Sequence, residues 1–261
     1  MGSVHDTTSA LIIGGTQGLG LAIARRLKAE GCKNLVIAAR GAEKGAAAAS
    51  EIGAEFLPVD LADTASVQAL VEAAAAKMGQ ITALVNAGAL TDRASILDCS
   101  PEVFDRMMAV NVRGPYFALQ RVAQLAIAAG HPASVVNILT VSTWCGQSFL
   151  SPYSASKMAL LNVTKNAAQA LRGYGIRVNG INCGWMDTPG EDETQKRWHG
   201  AGDDWLEKAE AAMPFGMLVK PDHVAGLASY MLGSESGVMT GSIVNFDQNV
   251  EGGMPETSAD S

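Results

Sequence analysis

The chain has 261 residues, of which 28 are Gly, 48% are hydrophobic and 17% are charged. An average apolar share with few charges excludes a disordered chain, a coiled coil and a collagen-like repeat, and leaves enough material for a real core. The net charge of −7 argues against a dedicated nucleic-acid binder, which needs a positive field to displace counterions from phosphates.

Residues 10–13 (ALII) form a strand-like run that stops at Gly14-Gly15. A helix is expected over about 18–30, with Leu19, Ala22, Ile23 and Leu27 on one face. Residues 34–39 and 55–59 read as the second and third strands. Residues 64–78 carry Val67, Leu70, Val71 and Ala74 at helical spacing, with Asp63 or Thr64 as N-cap. Residues 81–86 (ITALVN) are a fourth strand and 134–140 (SVVNILT) a fifth. Between them a long helix is expected from Pro101 to about Ala129, with Pro in its first turn. A helix over about 152–172 leads to a sixth strand at 176–182.

Near-continuous apolar strands separated by helices predict a parallel α/β sheet covered on both faces. The polar segment of about 190–214, rich in Trp and acids, interrupts the rhythm and is expected to be a lid-like insertion over a binding site. One domain is expected over 1–251, with 252–261 as a flexible tail.

Cys32, Cys99, Cys145 and Cys183 lie at wide, irregular spacings, so neither a metal site nor a disulfide framework is supported. Reduced thiols packed as small hydrophobes, in a cytoplasmic protein, are the expectation. No secretory signal or membrane-length apolar run is present, and Asp6 stands where a myristoylation signal needs Ser or Thr. No membrane partner is expected.

Gly14-Gly15-Thr16-Gln17-Gly18-Leu19-Gly20 follows the first strand and opens the first helix. Glycines there permit a tight turn and bring backbone N–H groups and the positive helix end against a pyrophosphate. After the second strand an NAD binder would place an acid on the ribose, and here the stretch is Ala38-Ala39-Arg40. Ala39 leaves room and Arg40 supplies a fork of donors for a 2′-phosphate, so NADP(H) is favoured over NAD(H).

Tyr153-Ser154-Ala155-Ser156-Lys157 opens a helix, and positions i and i+4 share a face. Lys157 can therefore bring its ammonium to the Tyr153 ring and lower the phenol pKa toward general acid/base use. With these pieces in order, the sequence resembles the short-chain dehydrogenase/reductase family over nearly its whole length. The matching pieces are the glycine loop, Asp60-Leu61, Val85-Asn86-Ala87-Gly88, Asn111, the strand end at 137–142, Tyr153-x-x-x-Lys157, and Asn182-Cys183-Gly184 leading to Thr188.

The resemblance implies a doubly wound Rossmann-fold domain of about seven parallel strands. It implies that Tyr153 exchanges a proton with the substrate oxygen while hydride passes to or from the nicotinamide. Lys157 would hold the nicotinamide ribose, and Asn111 would anchor a proton-relay water. Gly14, Thr16, Gln17, Gly18 and Leu19 would cradle the phosphates. Asp60 and Leu61 would contact the adenine, Asn86, Ala87 and Gly88 the adenosine side, and Thr188 the nicotinamide end. A homotetramer, paired through the long helices, is the family's common assembly.

Four departures stand out. Ile13 replaces a Thr, Val85 an Asn, and Cys183 a Pro whose loss is expected to loosen its turn. The substrate-orienting serine falls, by register, on Thr140, whose hydroxyl has the same donor and acceptor capacity. Ser142 would take over if the strand ran on and turned it to the same side.

Trp185, Trp198, His199, Asp203, Asp204 and Trp205 mix aromatic faces with acids around the expected pocket, with Trp185 as a substrate contact. That mixture suits a sugar or polyol, although a lid packing its own aromatics would read the same way. His199 reads as a lid hydrogen-bonder. Two alternatives are a non-catalytic NADP(H)-binding regulator and a sugar epimerase or dehydratase.

Overall fold

The computed structural model describes residues 4–253. The tail expected at 252–261 thus lies outside the described residues, apart from Gly252 and Gly253. Among the described residues seven parallel strands form one sheet, in the order β3-β2-β1-β4-β5-β6-β7. The strands are β1 (Ser9–Ile13), β2 (Asn34–Ala39), β3 (Glu55–Pro58), β4 (Ala83–Asn86), β5 (Ala133–Thr140), β6 (Ile176–Cys183) and β7 (Ile243–Phe246). This is the expected doubly wound arrangement.

Alternation along β1 explains its two covered faces. Ala10 and Ile12 pack with Leu19, Ile23 and Leu27 of α1 (Gly18–Ala29) and with Val224, Ala228 and Met231 of α9 (Pro221–Leu232). Leu11 and Ile13 pack on the other side, with Val67, Leu70 and Val71 of α3 (Thr64–Met78) and Val122 of α5 (Gly114–Ala129). Period-two side chains that are all buried give an apolar run rather than an alternating one. Asp63 is the N-cap of α3, accepting from the Ala65 amide.

The expected long helix is interrupted. It divides into α4 (Pro101–Met108), a π-helical turn at Ala109–Arg113, and α5. Pro115 has no N–H to give the carbonyl of Asn111, so the regular ladder cannot run through that point. Two helices and one strand lacked a sequence signal. The Ala-rich helix α2 (Ala42–Ile52) and α9 lie outside the named patterns, and β7 is a short, half-buried edge strand. The polar insertion folds as two helices, α7 (Pro189–His199) and α8 (Trp205–Ala211).

Cys32 and Cys183 are buried as expected, whereas Cys99 is half-buried and Cys145 exposed. No helix is long and apolar enough to cross a membrane among the described residues.

Below the sheet, His5 ties the residues before β1 to two helices. Its Nε2 lies 2.9 Å from Ser229 Oγ and 3.6 Å from Glu30 Oε2, and its Nδ1 lies 3.0 Å from Thr8 Oγ1. Burial holds its pKa below the ordinary value of 6.5, although Glu30 pulls the other way. A base with a depressed folded pKa is neutral in the fold while the unfolded chain binds the proton. Its contribution is therefore present above 6.5 and is lost as pH falls through 6.5 toward the folded value. Thermal unfolding between pH 8 and pH 5 is expected to show this loss, at no more than about 1.4 kcal/mol per pH unit for one proton. The pH slope should flatten in His5→Gln, and an unchanged slope would refute the assignment.

Candidate active site

The site lies at the strand ends where the sheet order reverses. Here β1 lies between β2 and β4, and connections leave it in both directions, the place where open α/β sheets bind ligands. Ile13 O accepts from the amides of Ala87 and Gly88, both at 2.9 Å, and the Gly14 amide donates to Ala38 O at 2.7 Å. Gly14 has φ +85°, and a Cβ on it would lie 2.4 Å from the Gly88 nitrogen. A Cβ on Gly20 would lie 2.1 Å from Gly14 O. Only glycine fits at either position.

A cleft of about 1460 Å³ opens above these strand ends. It is larger than the roughly 300–1,000 Å³ that holds one drug-sized ligand, so a dinucleotide and a substrate can lie side by side. Gly14, Thr16, Gln17, Gly18, Leu19, Arg40, Asp60, Leu61, Ala87, Gly88, Thr188 and Trp185 all line it. Gln17 stands at the N-cap of α1 in extended conformation, with no side-chain cap hydrogen bond. The amides of that first turn are thus available to a pyrophosphate. Arg40 is exposed at the rim and, among the described residues, has no carboxylate partner. The residues present fit a nicotinamide dinucleotide.

Asn86 does not line the cleft. It shares the α3–α5 side of β4 with Leu84, where its Nδ2 donates to Asn137 Oδ1 at 2.8 Å. Asn137 in turn donates to Thr164 Oγ1 at 2.9 Å. Strand alternation sends Asn86 into the layer beneath the site.

Lys157 and Tyr153 lie on α6 (Ser151–Leu171), one turn apart. The Lys157 Nζ is 6.0 Å from the Tyr153 ring centre and donates to Ile138 O at 2.8 Å. Burial lowers the Lys157 pKa to about 8. The expected depression of the phenol does not occur: burial raises Tyr153 to about 12, with Cys183 adding to the rise. Loss of solvation outweighs the favourable neighbours, which are the Thr140 hydroxyl and the Arg93 charge.

Among the neighbours that act on the phenol is the Thr140 hydroxyl, whose Oγ1 accepts from the Ser142 amide at 3.3 Å. The strand does not run on to Ser142. β5 ends at Thr140 and Val141–Thr143 forms a single 3₁₀ turn. Ser142 lies on that turn, buried, accepting from Ser154 Oγ at 3.0 Å.

Cys183 does not loosen its turn. β6 runs through it, in register with Thr140 on one side and Phe246 on the other, and the Gly184 amide donates to Phe246 O at 3.0 Å.

Asn111 is fully buried in the π-helical turn. Its Oδ1 accepts from the Leu90 amide at 2.8 Å, while Nδ2 donates to Leu90 O at 2.9 Å and to Ser156 Oγ at 3.0 Å. It clamps the segment after β4 to α6. Thr188 caps α7, its Oγ1 accepting from the Glu191 amide at 3.1 Å.

Among the cleft residues that the sequence did not single out are Arg93 and, within the expected insertion, Glu191. Arg93 sits in an irregular segment that carries no pattern. Glu191 completes a Thr-x-x-Glu helix-start signature with Thr188, which was available in the sequence. Arg93 Nε donates to His199 Nε2 at 3.4 Å.

Residues 14–251 match the family described as enoyl-(acyl carrier protein) reductase. The galactitol 2-dehydrogenase of Agrobacterium fabrum is 32% identical, covering 91% of this chain and 95% of its own. The sorbitol dehydrogenase of Cereibacter sphaeroides is also 32% identical, covering 93% and 96%. A solved actinorhodin polyketide ketoreductase with NADPH superposes with a TM-score of 0.86 at 26% identity, covering 94% of this chain and 98% of its own. The chain belongs to the short-chain dehydrogenase/reductase family, whose members use nicotinamide cofactors. It is an alcohol/ketone oxidoreductase of that family.

Replacing Asn111 by Ala removes its hydrogen bonds to Leu90, Met107 and Ser156 and leaves Leu90 unsatisfied on both sides. Urea unfolding should show a loss of about 2–3 kcal/mol. A loss near zero would mean the clamp contributes nothing.

Proposed function

We propose that the protein transfers a hydride between NADP(H) and a secondary alcohol or ketone, with a sugar or polyol as substrate class and Tyr153 as general acid/base. The observation that carries this reading is the convergence of the Tyr153 phenol, the Thr140 hydroxyl and the Lys157 ammonium in one cleft with the glycine loop. The nicotinamide, when bound, supplies the hydride chemistry.

This chain's residues supply the rest. Tyr153 gives its proton to the carbonyl oxygen, or takes one from the alcohol. Thr140 holds that same oxygen and keeps the phenol aimed. Lys157 spends one donor on Ile138 O, which leaves two for the ribose hydroxyls. Asn111 Oδ1 keeps one lone pair beyond its bond to Leu90, the acceptor a relay water would use. Ser142 and Trp185 line the substrate end, and α7 supplies the lid wall.

The names of two relatives, dehydrogenases of galactitol and sorbitol, support the polyol class. Arg40 and the NADPH of the ketoreductase neighbour support NADP(H). The assembly is a homotetramer in the cytoplasm. Tyr153 and Lys157 standing together weigh against a non-catalytic dinucleotide-binding regulator.

Tyr153→Phe should lower kcat about 10²–10⁴-fold while reduced-cofactor fluorescence still reports binding. Thr140→Val should behave similarly, whereas Ser142→Ala should keep most of the turnover. The reverse ranking would move the role to Ser142. Arg40→Asp should lower the NADP-over-NAD ratio of kcat/KM about 10–100-fold, the value of a charged hydrogen bond. An unchanged ratio would sink the cofactor assignment.

A further inference from the structure

The lid and the segment after β4 meet over the cleft in an unfinished ion pair. Arg93 Nη2 and Glu191 Oε1 are 4.0 Å apart, and their side chains are only 13% and 19% exposed. That separation is beyond hydrogen-bonding reach. Both groups line the cleft, and both charges are felt at the Tyr153 phenol, Arg93 drawing its pKa down and Glu191 pushing it up.

Each side chain is held from behind. Arg93 Nη1 donates to Thr91 O at 3.0 Å, and the guanidinium lies 5.7 Å over the Phe149 ring. Glu191 Oε1 accepts from Trp185 Nε1 at 2.8 Å and from Gln195 Nε2 at 2.7 Å. Among the described residues nothing donates to Glu191 Oε2. The capping pattern would have sent this carboxylate back to the start of its own helix, but it turns to Trp185 instead. A fixed charged donor and a fixed charged acceptor thus stand together, each with capacity left over.

Partly buried charges left short of partners are costly, so a ligand that completes both is favoured over one that completes neither. A hydroxyl does so through a single atom, accepting from Arg93 and donating to Glu191. A carboxylate would satisfy Arg93 and be repelled by Glu191, and an ammonium would do the reverse. A hydrocarbon would bury both unsatisfied. The Trp185 ring, 38% exposed and stacked on Trp205 at 6.2 Å, offers an apolar face to the C–H side of a hydroxylated chain.

We infer that Arg93 and Glu191 form a hydroxyl-reading clamp that selects a neutral polyhydroxylated substrate with a second hydroxyl near the reacting carbinol. The inference rests on the proposed alcohol oxidoreductase activity and names its specificity residues.

The test compares matched substrates, 2,3-butanediol against 2-butanol and a hexitol against 2-hexanol, on the full chain with NADP⁺ and with NAD⁺. Wild type should prefer the hydroxylated partner in each pair. In Glu191→Gln and Arg93→Met that preference in kcat/KM should fall about 10–100-fold, mainly through KM. Arg93→Lys should recover part of it. Equal losses on both members of a pair would mark a structural role and overturn the clamp, as would a wild type with no preference. If no alcohol is turned over, the activity assigned above fails separately. The clamp is then judged by tryptophan fluorescence titration of the NADPH-loaded protein with the hexitol. Weaker hexitol binding in Glu191→Gln supports it, and equal binding in wild type and variant overturns it.

Discussion

The contact on which the site depends is between two backbones, where the Ile13 carbonyl receives the amides of Ala87 and Gly88 while Gly14 lies against Gly88. It joins the ends of β1 and β4, the two strands between which the order of the sheet reverses. With no side chain on either glycine, the chain turns sharply from β1 into α1. That turn points the first amides of the helix across the cleft. The same contact fixes where β4 releases the segment that carries Leu90 and Arg93. One close approach thus sets both the phosphate end and one wall of the substrate end.

A second layer of constraint lies beneath the reacting groups. Asn111, in the π-helical turn, fastens Leu90 to Ser156 of α6. Asn86, Asn137 and Thr164 form a buried polar relay one layer further down. These groups are removed from solvent, so each depends on its partner's geometry being right. The result is that α6, with Tyr153 and Lys157 one turn apart, is held to β4 and β5 by directed bonds as well as by packing. Apolar contact alone would leave the helix free to slide.

Much of this was legible in the chain because it follows from local chemistry. The buried strands announce themselves as apolar runs, and Asp63 and Pro101 mark helix starts at the right places. The glycine spacing after β1 and the Tyr-x-x-x-Lys turn locate the two ends of the cleft. What was not legible depends on groups distant in sequence. Strand alternation puts Asn86 on the face of Leu84, but that this face meets Asn137 and Thr164 depends on which strand and helix the fold brings beside β4. The π-helical turn arises from Pro115 acting on a helix whose periodicity otherwise continues. The direction of the Tyr153 shift depends on how deeply the fold buries the phenol, and no spacing rule carries that quantity. Arg93 acquires its meaning only when α7 folds back over it.

The acid/base logic of the site then turns on a balance between desolvation and charge. A phenol raised to about 12 keeps its proton through the neutral range, which suits donation to a carbonyl oxygen. Removing a proton from an alcohol asks the same phenol to carry negative charge, and positive neighbours are what make that state accessible. Lys157 and Arg93 are among the cations that line the cleft with Tyr153, and Lys157 is itself lowered to about 8 by burial. The Arg93 charge draws the phenol pKa down. Glu191 offsets it, and a substrate hydroxyl placed between the two would change how far each charge is felt at the phenol. On the proposed reading, substrate recognition and proton transfer therefore share one electrostatic element, and a hydroxylated substrate helps set the acidity of the group that acts on it.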